Sequence, residues 1–223
     1  EFTTGVFATE APSFFDHFEP EAFDMAAAKR GEQLFNDNCA RCHGTYEKGW
    51  SQPEAASLSV REQLETVQVV YFADTPIHDV GTDPHRRMSV QHIQDINDLA
   101  LSEKYDLVLT PQDGYVPPPL EGVWARWPYF HNNSAPTLCA VLTPADKRPA
   151  VYQFGNITNK AVDFDSGCNG YPLDAPPHFD QVFDTTVPGL SNMGHDEGIF
   201  MDGGEERFTD DQKTDLIRFL QTL

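Results

Sequence analysis

The run Cys39-Ala40-Arg41-Cys42-His43 constrains this chain more than any other feature. Two thiols separated by two residues and followed at once by an imidazole form the C-x-x-C-H signature of covalent c-type haem attachment. The spacing has a chemical reason. Each thiol adds across one vinyl group of the porphyrin, and the two-residue spacer sets the sulfurs at the separation of the vinyls. His43 follows directly, so its imidazole reaches the iron from the same face, with Nε2 on the metal and Nδ1–H held by a backbone carbonyl. A single motif predicts a single covalent haem c. A zinc site would need a second pair of soft ligands, and Cys139 and Cys168 lie too far apart to make a second C-x-x-C. A thioredoxin-like site would want a βαβ pattern, and none precedes Cys39.

The flanking sequence predicts a helix entering the motif, over residues 24–38. Asp24 is suited to cap it, and Ala27, Gly31, Leu34 and Phe35 recur on one helical face. Gly31 costs about 1 kcal/mol of helix propensity in that position, which makes sense where another helix crosses closely. The other terminus offers the partner. Thr209 and Gln212 form a capping box, and Leu216, Ile217, Phe219, Leu220 and Leu223 make an apolar stripe over residues 209–222. A first and a last helix crossing at a Gly–aromatic contact, with C-x-x-C-H just after the first, resemble the cytochrome c fold. Residues 59–72 and 89–103 read as further helices. Residues 105–208 read as loops with short helices and a small hairpin near Val151 to Phe154. Residues 1–20 form a Phe-rich, acidic extension over the core. With no repeat, linker or low-complexity run, residues 1–223 read as one domain, mainly α, with long ordered loop insertions.

The middle of the chain carries more specific text. Gly81-Thr82-Asp83-Pro84 is followed by Gly114-Tyr115-Val116-Pro117-Pro118-Pro119-Leu120-Glu121-Gly122-Val123-Trp124-Ala125-Arg126-Trp127-Pro128-Tyr129-Phe130-His131-Asn132-Asn133-Ser134-Ala135-Pro136-Thr137-Leu138, and later by Gly189-Leu190-Ser191-Asn192-Met193-Gly194-His195-Asp196. With Cys42-His43-Gly44-Thr45-Tyr46, these segments resemble the haem domains of the bacterial di-haem cytochrome c peroxidase and rubber-oxygenase superfamily, the rubber-oxygenase branch more closely. Asn133 stands where such sequences usually carry Gly; Asn also tolerates a left-handed backbone. Enzymes of that superfamily hold two haems, one a relay and one open to substrate. This chain has one C-x-x-C-H, so their activity is not carried over. The resemblance implies one haem domain, most like the relay half.

The resemblance also bears on the second iron ligand. The Gly194-His195-acid pattern aligns with the second axial histidine of the rubber-oxygenase relay haem, which favours His195; Met193 is the alternative in the same loop. Two imidazoles give a lower reduction potential than a His–Met pair. Trp124, Trp127, Tyr129 and Phe130 are expected to wall the haem pocket, His131 to lie near the haem edge, and Arg126 either to pair with a propionate or to sit at the surface.

Haem c is attached on the oxidising side of bacterial membranes, so the protein is expected to be periplasmic or secreted. Cys139 and Cys168 can then pair, a bridge contributing about 3 kcal/mol on the chain-entropy model, or stay as buried thiols. The start at Glu1 lacks the basic and apolar pattern of a leader, and no apolar run approaches the roughly 18 residues of a membrane span. Lys and Arg number 15 against 35 Asp and Glu, a formal charge of −20. That argues against nucleic acid and anionic membranes as partners; it fits a salty habitat, simple solubility, or a redox partner protein with a basic docking surface, met through a salt-sensitive encounter. The acidic run from Asp202 to Glu206 lacks the ordered ligand pattern of a calcium loop and reads as a solvated charge run. The expected function is a monohaem carrier of single electrons rather than an enzyme. The alternative is a haem peroxidase or oxygenase, or part of a di-haem enzyme, with an open sixth site.

Overall fold

The computed structural model describes residues 11–70 and 78–223. In chain order the regular elements are α1 (Met25–Asn38), α2 (Ala40–His43), β1 (Thr45–Lys48), α3 (Val60–Glu65), β2 (Val67–Val70), α4 (His85–Val90), α5 (Ala100–Tyr105), α6 (Leu138–Val141), β3 (Val151–Phe154), α7 (Lys160–Asp163), β4 (Gln181–Asp184), β5 (Met201–Asp202), β6 (Glu205–Glu206) and α8 (Asp210–Leu220), with 3₁₀ turns between them. Among the described residues the strands form three antiparallel pairs, β1 with β2, β3 with β4 and β5 with β6. Helix outweighs strand, but long loops fill much of the second half.

The α1–α8 crossing organises the larger core. The Asp24 carboxylate caps α1 by accepting from Ala27 N–H at 2.9 Å, and Ala27, Ala28, Gly31 and Phe35 are its buried face. Thr209 and Gln212 close the capping box of α8, which buries Leu216, Ile217, Phe219 and Leu220. Gly31 is where the helices meet: a Cβ there would lie 2.0 Å from the Asp215 carbonyl oxygen and 2.9 Å from Phe219 Cβ. The Phe35 and Phe219 rings pack beside it, tilted at 52° with centroids 5.2 Å apart. At the rim the Arg30 guanidinium grips Asp215 with two bonds of 2.8 and 2.7 Å. α2 starts where α1 ends, at Cys39, and stops at Gly44, whose φ of 75° lies in the left-handed region.

Residues 59–72 do not form one helix. α3 ends at Glu65, and Val67–Val70 pairs with β1 in the register Thr45↔Val70 to Lys48↔Val67; positions 71 and 72 lie outside the described residues. The run Thr66, Val67, Val69, Val70 is β-branched and stiff, and a neighbouring strand edge outweighs the helical spacing. Residues 89–103 are likewise not continuous. α4 begins earlier, at His85, residues 91–98 wind as a 3₁₀ helix, and Leu99 at ψ 143° breaks the path before α5. Side chains compete with the helical ladder here: the Asn97 amide donates to Leu109 C=O and accepts from Leu109 N–H, both at 2.8 Å, and the Ser102 hydroxyl donates to Ile96 C=O.

The strand at Val151–Phe154 is present, but it is no local hairpin; its partner is the distant Gln181–Asp184. Cys139 and Cys168 form a disulfide that ties α6 to the loop after α7. The extension is partly covered by the description, with Phe2 and Phe7 outside it. Of its remaining aromatics, Phe14 and Phe15 build a second small core with Leu64 and Trp124, and Phe18 packs against it; the Trp124 indole N–H donates to Pro12 C=O at 2.6 Å.

Candidate functional site

A cavity of about 1070 Å³ opens beside the α1–α8 crossing. α2 and its N-cap supply Cys42, His43 and Cys39 to one wall, and the loop before β5 supplies His195 to another. Phe35, Leu138, Leu216 and Leu220 floor it with apolar surface. The two cysteines are free thiols. Burial pushes the Cys39 thiol up to about 12, so it is a neutral thiol in the folded chain.

His43 is steadied from behind: its Nδ1 lies 3.4 Å from Pro118 C=O. Burial lowers its basicity, and that carbonyl works in the opposite direction. His195 is partly buried and lines the cavity. Burial first, then the positive fields of His43 and Arg148, push it down to about 4. Both rings are therefore neutral at pH 7 and hold a free lone pair. They face each other with centroids 6.3 Å apart and planes at 57°. A metal bridging two imidazoles, with bonds of about 2 Å and about 1 Å more from each nitrogen to its ring centre, sets the centroids roughly 6 Å apart. The pair thus fits an iron between them, and the cysteines stand in the wall where a porphyrin edge would meet them.

The loop carrying His195 is fixed by its backbone. His195 has φ 56° and Gly194 φ 77°, and His195 N–H donates to Val80 C=O at 2.7 Å. Gly194 rests on the Gly81–Thr82 backbone, where a Cβ would come within 2.2 Å of the Gly81 carbonyl carbon. Upstream, Ser191 N–H donates to the Asp83 carboxylate, and the Asn132 amide donates to Gly189 and Ser191 carbonyls. Burial alone would raise the Asp83 carboxyl, yet bonds from the His85 N–H and ring and from Ser191 N–H hold it below its ordinary value. Three segments that looked separate in sequence, around Asp83, Asn132 and His195, are one assembly.

Met193 is 53% exposed and is not part of the cavity wall. Tyr129, Phe130, His131 and Arg126 are. His131 stacks on Tyr115 at 4.8 Å, and its buried Nε2 has no hydrogen-bond partner among the described residues. Arg126 donates to Pro119 and Glu121 carbonyls. Trp124 and Trp127, expected in the wall, point elsewhere: Trp124 joins the Phe14 core, and Trp127 packs edge-on against Tyr171 at 4.6 Å. Their apolar bulk predicts burial but not which of two cores receives it. Sequence reasoning also missed Arg148, the Pro118 carbonyl and the Asp83 hub. The only signal for Asp83 was its Gly-Thr-Asp-Pro setting.

The cytochrome c family model matches residues 28–101, and the RoxA-like, cytochrome c-like model matches residues 114–153. Among curated proteins, the uncharacterized protein y4iM of Sinorhizobium fredii is 32% identical over 98% of this chain and 54% of its own length. A second, the uncharacterized protein y4iJ of the same organism, is 26% identical over 91% of this chain and 39% of its own length. The chain therefore spans about half or less of the curated relatives it matches. The two family matches mark a c-type cytochrome domain, a class that carries covalent haem c. More particularly, the domain resembles the haem domains of the rubber-oxygenase group. Among the described residues no helix is long and apolar enough to cross a membrane.

Proposed function

We propose that residues 1–223 form one domain that holds a single haem c and passes single electrons. Cys39 and Cys42 would anchor the porphyrin as thioethers, and His43 and His195 would hold the iron from its two faces. The observation that carries this reading is the 6.3 Å spacing of the two neutral imidazoles across the cavity beside the motif. When bound, the iron supplies the change of valence. The chain's part is to orient two nitrogen donors, keep water from both axial positions and set the potential through ligation and burial. With Nδ1 of His43 donating to Pro118 C=O, Nε2 keeps its lone pair for the metal. His195 Nδ1 has no partner among the described residues, so a bond at Nε2 would be that ring's main tether.

Such a protein works outside the cytoplasm, in the periplasm or secreted. Its charge of −20 supports a redox partner with a basic docking surface. The length of the curated relatives supports a second reading, in which a domain of this kind relays electrons within a longer di-haem peroxidase or oxygenase. Intact mass and a redox titration of the matured protein test the first. One added haem and a one-electron transition are expected; two haems, or a colourless protein from a competent maturation host, would contradict it.

A further inference from the structure

Arg148 is 6% exposed, yet every hydrogen bond it makes among the described residues goes to a backbone carbonyl. Nε donates to Ala140 and Thr143, each at 2.9 Å, and Nη2 reaches Val141 at 3.4 Å. Nη1 donates to Asn192 and, at 2.7 Å, to Gly194. One guanidinium thus bolts the His195 loop, at the residue preceding the histidine and again two before that, onto α6, which the Cys139–Cys168 bridge anchors in turn. Its Cζ lies 5.0 Å from the Phe130 ring centroid, and that ring lies 5.9 Å from the His195 ring.

A buried cation with no carboxylate hydrogen-bonded to it, offset only by the field of the nearby Asp196, is expensive. A neutral amide could satisfy some of these carbonyls at lower cost, so the retained charge calls for a role. Its place beside the imidazole supplies one. Oxidised iron carries one more positive charge than reduced iron, and a fixed cation in a low-dielectric surrounding disfavours the oxidised form.

We propose that Arg148 is the positioning residue that keeps His195 on the iron and, through its buried charge, raises the reduction potential of the haem. This rests on the axial reading given above. Lysine keeps the charge but has three donors on one nitrogen, and glutamine keeps donors but no charge; the two substitutions separate the effects. In the matured protein R148Q should lower the midpoint potential, whereas R148K should stay near wild type. Both should bind cyanide in the ferric state at least tenfold more tightly than wild type, because a loosened His195 yields the sixth position. Wild-type cyanide affinity in both variants, or equal potential shifts in both, would overturn the proposal. If R148Q does not fold, R148K decides: tighter cyanide binding at an unchanged potential is expected, and wild-type cyanide affinity or a large fall in potential contradicts it. A high-spin wild-type protein would instead sink the axial reading on which the inference stands.

Discussion

Gly194 sits so tightly on Gly81 that a β-carbon would lie 2.2 Å from the Gly81 carbonyl carbon and 2.4 Å from Thr82 N. The contact is backbone on backbone, so no side chain can give way, and φ at Gly194 is +77° as well. Replacing Gly194 by Ala must move the loop that carries His195. The expected outcome is a ferric optical spectrum with a high-spin component absent from wild type. An unchanged spectrum would mean that the loop's position does not govern iron ligation.

The α1–α8 crossing makes a second demand for glycine. A Cβ at Gly31 meets Asp215 C=O at 2.0 Å, so the G31A change must push two helices apart. Overpacking of this kind costs about 1–3 kcal/mol and sometimes more, which outweighs the roughly 1 kcal/mol gained in helix propensity. Chemical denaturation followed by fluorescence should show a lower midpoint for G31A. A more stable variant would show that the crossing tolerates a wider separation.

Local signals explain what could be read before the structure. The α1 cap at Asp24, the α8 box at Thr209 and the haem motif each lie within a few residues, where spacing alone carries the chemistry. Failures arose where the deciding contact was distant. Val67–Val70 pairs with Thr45–Lys48, and Val151–Phe154 pairs with Gln181–Asp184; neither partner is visible from the strand itself. Leu99 breaks a helical run because Asn97 finds the Leu109 backbone. Arg148 was illegible because its acceptors are carbonyls spread from Ala140 to Gly194, and every residue type has a carbonyl.

Lys48 gives the fold a pH dependence of its own. It is fully buried, donating to Leu64 C=O at 2.7 Å and to Thr222 C=O, and burial pushes it down to about 7 from the ordinary 10.5. Between those values the unfolded chain holds the proton more firmly than the folded one. Stability from this group is therefore complete above pH 10.5 and is lost as pH falls through 7. At roughly 1.4 kcal/mol per pH unit at most, wild type should gain a few kcal/mol over K48M between pH 7 and 10.5. Denaturant midpoints of the two proteins at several pH values check this; a constant difference would mean that Lys48 is not depressed.

The central claim is that iron is held between His43 and His195. It is tested most directly by the electron paramagnetic resonance spectrum of the ferric, matured protein and of H195A and M193A. Wild type and M193A should both give the low-spin signal of a six-coordinate haem, and H195A should give a high-spin signal that returns to low-spin when imidazole is added. A high-spin signal in M193A with H195A left low-spin would contradict the account.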